Sequence, residues 1–170
     1  MLNPDKQEAR PARGAFFKME RSAIKTAIGW FTLEYDAEGV CRAEFCAEMP
    51  EITAPMPEEE AWHTYFAGRG EPPQLKLNIK GTSFCRAVWD AARAVGYGQS
   101  VSYGQLARAI GMPRAARAVG QALGKNPVLV LIPCHRVTAK GGLGGFSAGA
   151  EIKRFLRRTE GADCPAEAEK

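Results

Sequence analysis

Cys134 and His135, adjacent in Pro133-Cys134-His135-Arg136-Val137, are the side chains whose types and spacing fit nucleophilic chemistry. A free thiol has a pKa of about 8.5 and is mostly unreactive at neutral pH, but a neighbouring base, a positive charge or a helix N-terminus can lower that value by several units. His135 and Arg136 stand beside the sulfur as candidate perturbers. The apolar run Val128-Leu129-Val130-Leu131-Ile132 reads as a buried strand that delivers the cysteine and holds it still. The same pattern also fits a small core residue, since free Cys is among the most buried residue types. The elements around it decide between the two.

From Gly81 onward the chain reads as helices with clear punctuation. Phe84, Val88, Ala91, Ala92 and Val95 recur at helical spacing after the cap candidates Thr82 and Ser83, which predicts a helix ending near Gly96. Ser102-Tyr103-Gly104-Gln105 is a capping box that opens a second helix, through Ile110. Gly111-Met112 makes a turn, and Pro113 starts a third helix that runs to Leu123 and closes at Gly124. Two short helices around a tight turn, the second with Arg114 and Arg117, fit a helix-turn-helix or a plain antiparallel pair. The small residues Ala115, Ala116, Ala118 and Gly120 let that third helix approach a narrow groove closely or pack against a neighbouring helix.

The first 80 residues have a different character. Ala27–Tyr35 and Val40–Cys46 read as a hairpin around the turn Asp36–Gly39, Glu58–Ala67 as a helix ended by Gly68, and Gln74–Ile79 as a strand. Residues 1–22 look loosely ordered, apart from Phe16 and Phe17. The expected organisation is a supporting α/β lobe over 1–80, without site chemistry of its own, a chemical domain over 81–161, and a flexible tail over 162–170.

Composition narrows the function classes. A chain of 170 residues, 45% hydrophobic, can bury a core in one compact unit or two small ones. No apolar stretch approaches the roughly 18 to 20 residues of a membrane span, and the first residues lack the apolar segment of a signal peptide. A cytoplasmic protein without membrane attachment is expected. Five scattered cysteines fit reduced thiols better than a disulfide framework, and only two histidines make a zinc site hard to assemble. No metal and no cofactor are expected. The net charge of +4 conceals a division: residues 1–80 carry ten Lys+Arg against 13 Asp+Glu, and residues 81–160 carry 12 against three. A half-chain this basic that also holds Cys134 points to a polyanionic partner at the place of the chemistry.

Five motifs occur in order: SYGQLA at 102–107, RAARAVG at 114–120, NPV at 126–128, IPCHRV at 132–137 and GGFSAG at 144–149. Together they resemble the O6-alkylguanine-DNA alkyltransferases, the methylated-DNA–protein-cysteine methyltransferases. The likeness is strong from about Gly81 to Gly161 and weaker before it, where WHTYF at 62–66 and GTSF at 81–84 fit. It implies an α/β (α+β) fold, with a small ribonuclease H-like N-terminal lobe and a mainly helical C-terminal domain containing a winged-helix or helix-turn-helix-like motif. The implied activity is irreversible, single-turnover transfer of the alkyl group from O6-alkylguanine, mainly O6-methylguanine, and from O4-alkylthymine, to the protein's own cysteine. The implied partner is double-stranded DNA, bound through its minor groove by a monomer.

The resemblance also implies roles. Cys134 matches the nucleophile, His135 the base that takes the thiol proton through a water, and Glu160 the carboxylate that orients the histidine. Asn126 matches the asparagine that ties the recognition helix to the active-site segment. The substrate atom lies inside a stacked duplex, so the base must be rotated out, at a cost of a few kcal/mol. Tyr103 matches the side chain that crowds the 3′ phosphate, and Arg117 the one that fills the vacated stack, with Gly104, Ala115 and Ala116 against the DNA. Backbone carbonyls of Cys134 and Val137 and the hydroxyl of Ser147 match contacts to the guanine, between the apolar walls Leu123 and Phe146. Leu129 stands where better-known members have a proline beside the alkyl pocket, Phe146 where they have a tyrosine, and the loop after Val137 is one residue shorter. Two other classes of function fit the residues less well. A lesion-binding relative without transfer activity would replace Cys134, and a Cys/His hydrolase or redox protein would leave the basic half without a purpose.

Overall fold

The computed structural model describes residues 18–162. Phe16, Phe17 and the tail from residue 163 lie outside the described residues. Three strands, β1 (Glu20–Thr26), β2 (Gly29–Asp36) and β3 (Gly39–Cys46), form an antiparallel sheet in the order β1-β2-β3. The helix α1 (Glu59–Phe66) follows, and then α2 (Ser83–Arg93), β4 (Val101–Ser102), α3 (Tyr103–Ala109) and α4 (Ala116–Gly124). A short 3-10 turn at Cys134–Arg136 leads into β5 (Val137–Thr138), which pairs in parallel with β4, and α5 (Ala150–Thr159) closes the described chain. The fold is a mixed α/β arrangement, as expected.

Local chemistry explains most of these elements. Asp36 terminates β2 by accepting from the backbone N–H of Glu38 and Gly39, which fixes the turn into β3. The side chain of Thr82 caps α2 by accepting from Cys85 N at 3.2 Å. Ser102 and Gln105 form the expected capping box on α3. Trp89 of α2 donates its indole N–H to the Ala122 carbonyl of α4 at 3.0 Å, locking the two helices together.

Several expectations are corrected. Glu20–Thr26 is a strand, because its Ser22, Ile24 and Thr26 alternate onto the buried face of the sheet and pair with β2. Gln74–Ile79 is not a strand; Leu77 makes only an isolated bridge to Val40. Pro113 does not start α4. It lies in a turn closed by Ala115 N–H to Met112 O at 2.9 Å, so Arg114 precedes the helix. Gly124 is the last helical residue and does not adopt the left-handed closing conformation, since the cap is Lys125 at φ −93°. The run Val128–Ile132 is a buried tight turn, not a strand: Val130 sits at φ 72°, and Ile132 N–H reaches back to Val128 O at 3.0 Å. The reason lies on β3, where Ala43 donates to Pro127 O and accepts from Leu129 N, each at 2.9 Å. Anchored there, the chain must reverse within a few residues to present Cys134.

One buried apolar cluster includes Phe31 of the sheet, Trp62 of α1, Val88 of α2, Val119 of α4, Ile132 and Leu156 of α5. The active-site turn thus rests on both the sheet and the helices. No helix among the described residues is long and apolar enough to cross a membrane.

Candidate active site

Cys134 opens the 3-10 turn and is 4% exposed. Asn126 holds it: its Nδ2 donates to Cys134 Sγ at 3.1 Å and to Ile132 O at 2.9 Å, while its Oδ1 accepts from Val128 N at 3.0 Å. One side chain therefore ties the end of α4 to both ends of the turn. Burial pushes the thiol up to about 11, although Asn126, the Lys153 ammonium and local backbone N–H groups pull it down. The lowered thiol pKa expected from sequence is not met in the resting protein. Cys134 therefore rests as a neutral thiol.

His135 is fully buried, and its Nε2 lies 2.8 Å from Glu160 Oε1. Burial would raise the Glu160 pKa, but hydrogen bonds from His135 and Arg136 hold the carboxyl down at about 2. An ionised carboxylate accepts only, which assigns the imidazole proton to Nε2 and leaves Nδ1 with its lone pair. Nδ1 is buried and has no hydrogen-bond partner among the described residues. Burial lowers the His135 pKa despite the opposing pull of Glu160, so the ring is neutral at pH 7. Arg136, a candidate perturber of the thiol, instead grips Glu160 through Nε at 2.8 Å and Nη2 at 2.9 Å and donates Nη1 to Val95 O at 2.6 Å.

A cavity of about 490 Å³ opens above the sulfur. It gathers Tyr103, Ala116, Arg117, Leu123, Phe146 and Ser147, together with Gly120, Gln121, Gly124 and Gly145. Gly104 lines a neighbouring hollow with Tyr103 and Ala116, and Ala115 caps α4. Leu129 faces a second cavity towards β3, with Arg42, Glu44 and Lys125, and does not line the one above the sulfur. Val137 is buried beneath the site, and its carbonyl accepts from Lys153 Nζ at 2.7 Å.

Two residues here escaped the sequence reading. Lys153 is fully buried, bonds Val137 O and Gly145 O, and lies 5.9 Å from the ring centres of both Tyr103 and Phe146. Burial pulls its ammonium down to about 8. Its only signal was a lysine on the inward stripe shared with Leu156 and Arg157 of α5. Tyr65 donates its hydroxyl to Glu160 Oε1 at 2.9 Å across 95 residues of sequence. In the sequence it stood only within WHTYF at 62–66, with no role attached.

The family described as 6-O-methylguanine DNA methyltransferase, DNA binding domain, matches residues 83–162. A methylated-DNA–protein-cysteine methyltransferase of Methanosarcina acetivorans is 36% identical over 155 residues, covering 85% of this chain and 99% of that one. A protein of the same name from Mycobacterium tuberculosis is 43% identical over 106 residues, 62% of this chain and 64% of its own length. Among solved structures, the Mycobacterium tuberculosis O6-methylguanine methyltransferase superposes with a TM-score of 0.74 at 33% identity, over 89% of this chain and 97% of that one. The Mycobacterium tuberculosis protein OGT, solved in complex with DNA, gives 0.73 at 34% identity over 86% and 95%. With sequence matched over nearly the whole length of the Methanosarcina acetivorans relative, and fold over nearly the whole length of the Mycobacterium tuberculosis structures, this chain belongs to the methylated-DNA–protein-cysteine methyltransferase family.

Proposed function

We propose that the protein repairs duplex DNA by taking the alkyl group from the O6 of guanine onto Cys134, once per molecule. The observation that supports this best is the position of a buried thiol at the base of a cavity rimmed by Arg117 and Tyr103, next to a neutral His135 pinned by Glu160. As the sulfur approaches the alkyl carbon, the thiol proton passes by way of a water to His135 Nδ1. The carbon–O6 bond breaks, its electron pair stays on the guanine, and the guanine takes up a proton from solvent, balanced by the proton the imidazolium later gives back. The new imidazolium is stabilised by Glu160, which stays ionised because its own proton affinity is so low. A thioether has no easy leaving reaction, so the cysteine is consumed.

The finer reading follows from the family and from the site's shape. The lesion base enters from the minor groove, rotated out of the stack; Arg117 on α4 takes its place, and Tyr103 crowds the adjoining phosphate. Leu123 and Phe146 wall the base, Ser147 and the backbone of Cys134 and Val137 meet its polar edge, and Gly104, Ala115 and Ala116 let the DNA come close. Residues 81–161 act as the DNA-binding domain of winged-helix type and 1–80 as a ribonuclease H-like lobe, in a cytoplasmic monomer that needs no cofactor. The same reading extends to O4-alkylthymine as a second substrate.

The test is mass spectrometry after incubation with a duplex containing O6-methylguanine. One methyl group on the peptide carrying Cys134, with none in Cys134→Ala, is the expected result. Transfer by Cys134→Ala, or an unmodified wild-type protein, overturns the proposal.

A further inference from the structure

Glu160 is buried and accepts five hydrogen bonds, all from the protein itself. Its Oε2 accepts from Arg136 Nε at 2.8 Å and from Gly98 N at 3.3 Å. Its Oε1 accepts from three donors: His135 Nε2 at 2.8 Å, Arg136 Nη2 at 2.9 Å and Tyr65 Oη at 2.9 Å. The first four of these bonds are local to the chemical domain. The fifth comes from α1, outside the region matched by the family's DNA-binding domain. Tyr65 and Glu160 are both buried, so neither exchanges this bond for water.

The chemistry of a shared acceptor gives this bond a consequence. The negative charge on Oε1 that His135 feels is divided among all the donors that bind it. A phenol hydroxyl is a good donor, and in a water-excluded site a bond to an ionised acceptor is stronger than a neutral one. Tyr65 therefore weakens the hold of Oε1 on an imidazolium at His135. We propose that Tyr65 is a positioning residue of the alkyl-transfer site, donated by the N-terminal lobe, which sets the basicity of His135 by competing with it for Glu160 Oε1. The lobe in this account reaches the chemistry through one hydroxyl, rather than serving as support alone. The proposal rests on the reading of His135 as the base.

The other charged or titratable groups around the pair do not duplicate Tyr65. Arg136, from the same 3-10 turn as His135, holds both carboxylate oxygens in a fixed fork. Tyr97 follows α2, donates its hydroxyl to Thr159 O at 3.0 Å and faces the Arg136 guanidinium at 6.0 Å, leaving Glu160 to the other donors. Lys153, from α5, is committed to the carbonyls of Val137 and Gly145. Tyr65 is thus the neutral donor whose removal changes the charge on Oε1 without removing a formal charge.

The chain has only two histidines, His63 and His135, and His63 is exposed, which makes the buried ring directly readable. The experiment is an NMR titration of the imidazole carbons in wild type, Tyr65→Phe and Trp62→Phe, with single-turnover methyl transfer measured over the same pH range. Tyr65→Phe keeps the ring that packs against Trp62 and removes only the oxygen. Its His135 midpoint should rise by about half a unit or more, the size set by losing one bond to a charged acceptor, and the acid limb of transfer should move up with it. Trp62→Phe loosens the same helix without touching Glu160 and should leave the midpoint at the wild-type value. If Tyr65→Phe is too unstable to titrate, 3-fluorotyrosine at position 65, a stronger donor, should lower the midpoint. An unchanged or lowered midpoint in Tyr65→Phe, an unchanged midpoint with 3-fluorotyrosine, or an equal rise in Trp62→Phe overturns the proposal. A wild-type protein that titrates normally but transfers no methyl group instead defeats the alkyl-transfer reading.

Discussion

At the scale of single residues, the site depends on two groups buried in the protonation states they have at neutral pH. Glu160 is ionised and His135 neutral, and both folded pKa values lie below the ordinary ones, 4.5 and 6.5. A group whose folded pKa is depressed contributes stability that is present above its unfolded pKa and lost as pH falls through the folded one. Stability should therefore begin to fall below about pH 6.5, when the unfolded chain binds a proton at His135 that the native ring refuses. It should fall more steeply from 4.5 towards 2, where Glu160 contributes roughly 3 kcal/mol of linkage. Urea unfolding at pH steps from 7 to 3 checks this, and a flat or rising midpoint contradicts it. Cys134 shows the limit of reading such groups from sequence. His135 and Arg136 beside a thiol suggested a lowered pKa, but the arginine turns to Glu160 and burial dominates the sulfur.

At the scale of elements, the loop after β5 is the part whose backbone the pocket requires in detail. Gly144 adopts φ 71°, and a Cβ there would lie 2.9 Å from Ala139 N and 3.0 Å from the Tyr103 ring. Gly144→Ala should cost about 1–2 kcal/mol from left-handed backbone strain alone. It should also slow methyl transfer by roughly tenfold or more by shifting Phe146 and Ser147 in the pocket wall. Gly142→Ala, with open space around its Cβ position, should leave both quantities near wild type. Equal behaviour of the two variants in thermal unfolding and single-turnover assays would contradict this. The contrast also marks what was legible in sequence. The Ser102 capping box, the Thr82 cap and the turn at Asp36 depend on residues a few positions apart, and all formed as read. The run Val128–Ile132 was misread because its burial, not an extended backbone, accounts for its composition; the reversal is set by Ala43, more than 80 residues earlier. Pro113 looked like a helix start for a similarly local reason, whereas the turn from α3 uses it one step too early. Tyr65 and Lys153 could not be read at all, since their partners lie 95 and 16 residues away.

At the scale of the whole molecule, the sheet, the helices and the active-site turn share one apolar cluster, and Cys134 is part of it. The proposed nucleophile is therefore also a core residue. Reaction must change the core. A methyl group on Sγ enters a site where Asn126 Nδ2 stands at 3.1 Å, and it converts a thiol into a thioether, bulkier at the sulfur and without the S–H donor. The Asn126 amide holds the end of α4, the turn and the sulfur together, so strain at the sulfur is passed to all three. Cys134 also lines the cavity that delivers the methyl, so the cost is that of disturbing the buried Asn126 donor, about 1–3 kcal/mol. For a chain of this size that corresponds to a fall of several degrees in thermal midpoint, roughly 2–4 °C for each kcal/mol. Comparing scanning calorimetry of the unmodified protein with that of protein fully methylated by O6-methylguanine DNA, freed of the DNA afterwards, should show this loss. Asn126→Ala should already show much of the fall before methylation, and methylation should then add less, because the two changes act through the same contact. A methylated protein as stable as the unmodified one would mean that the turn absorbs the new group without disturbing the core it is built from.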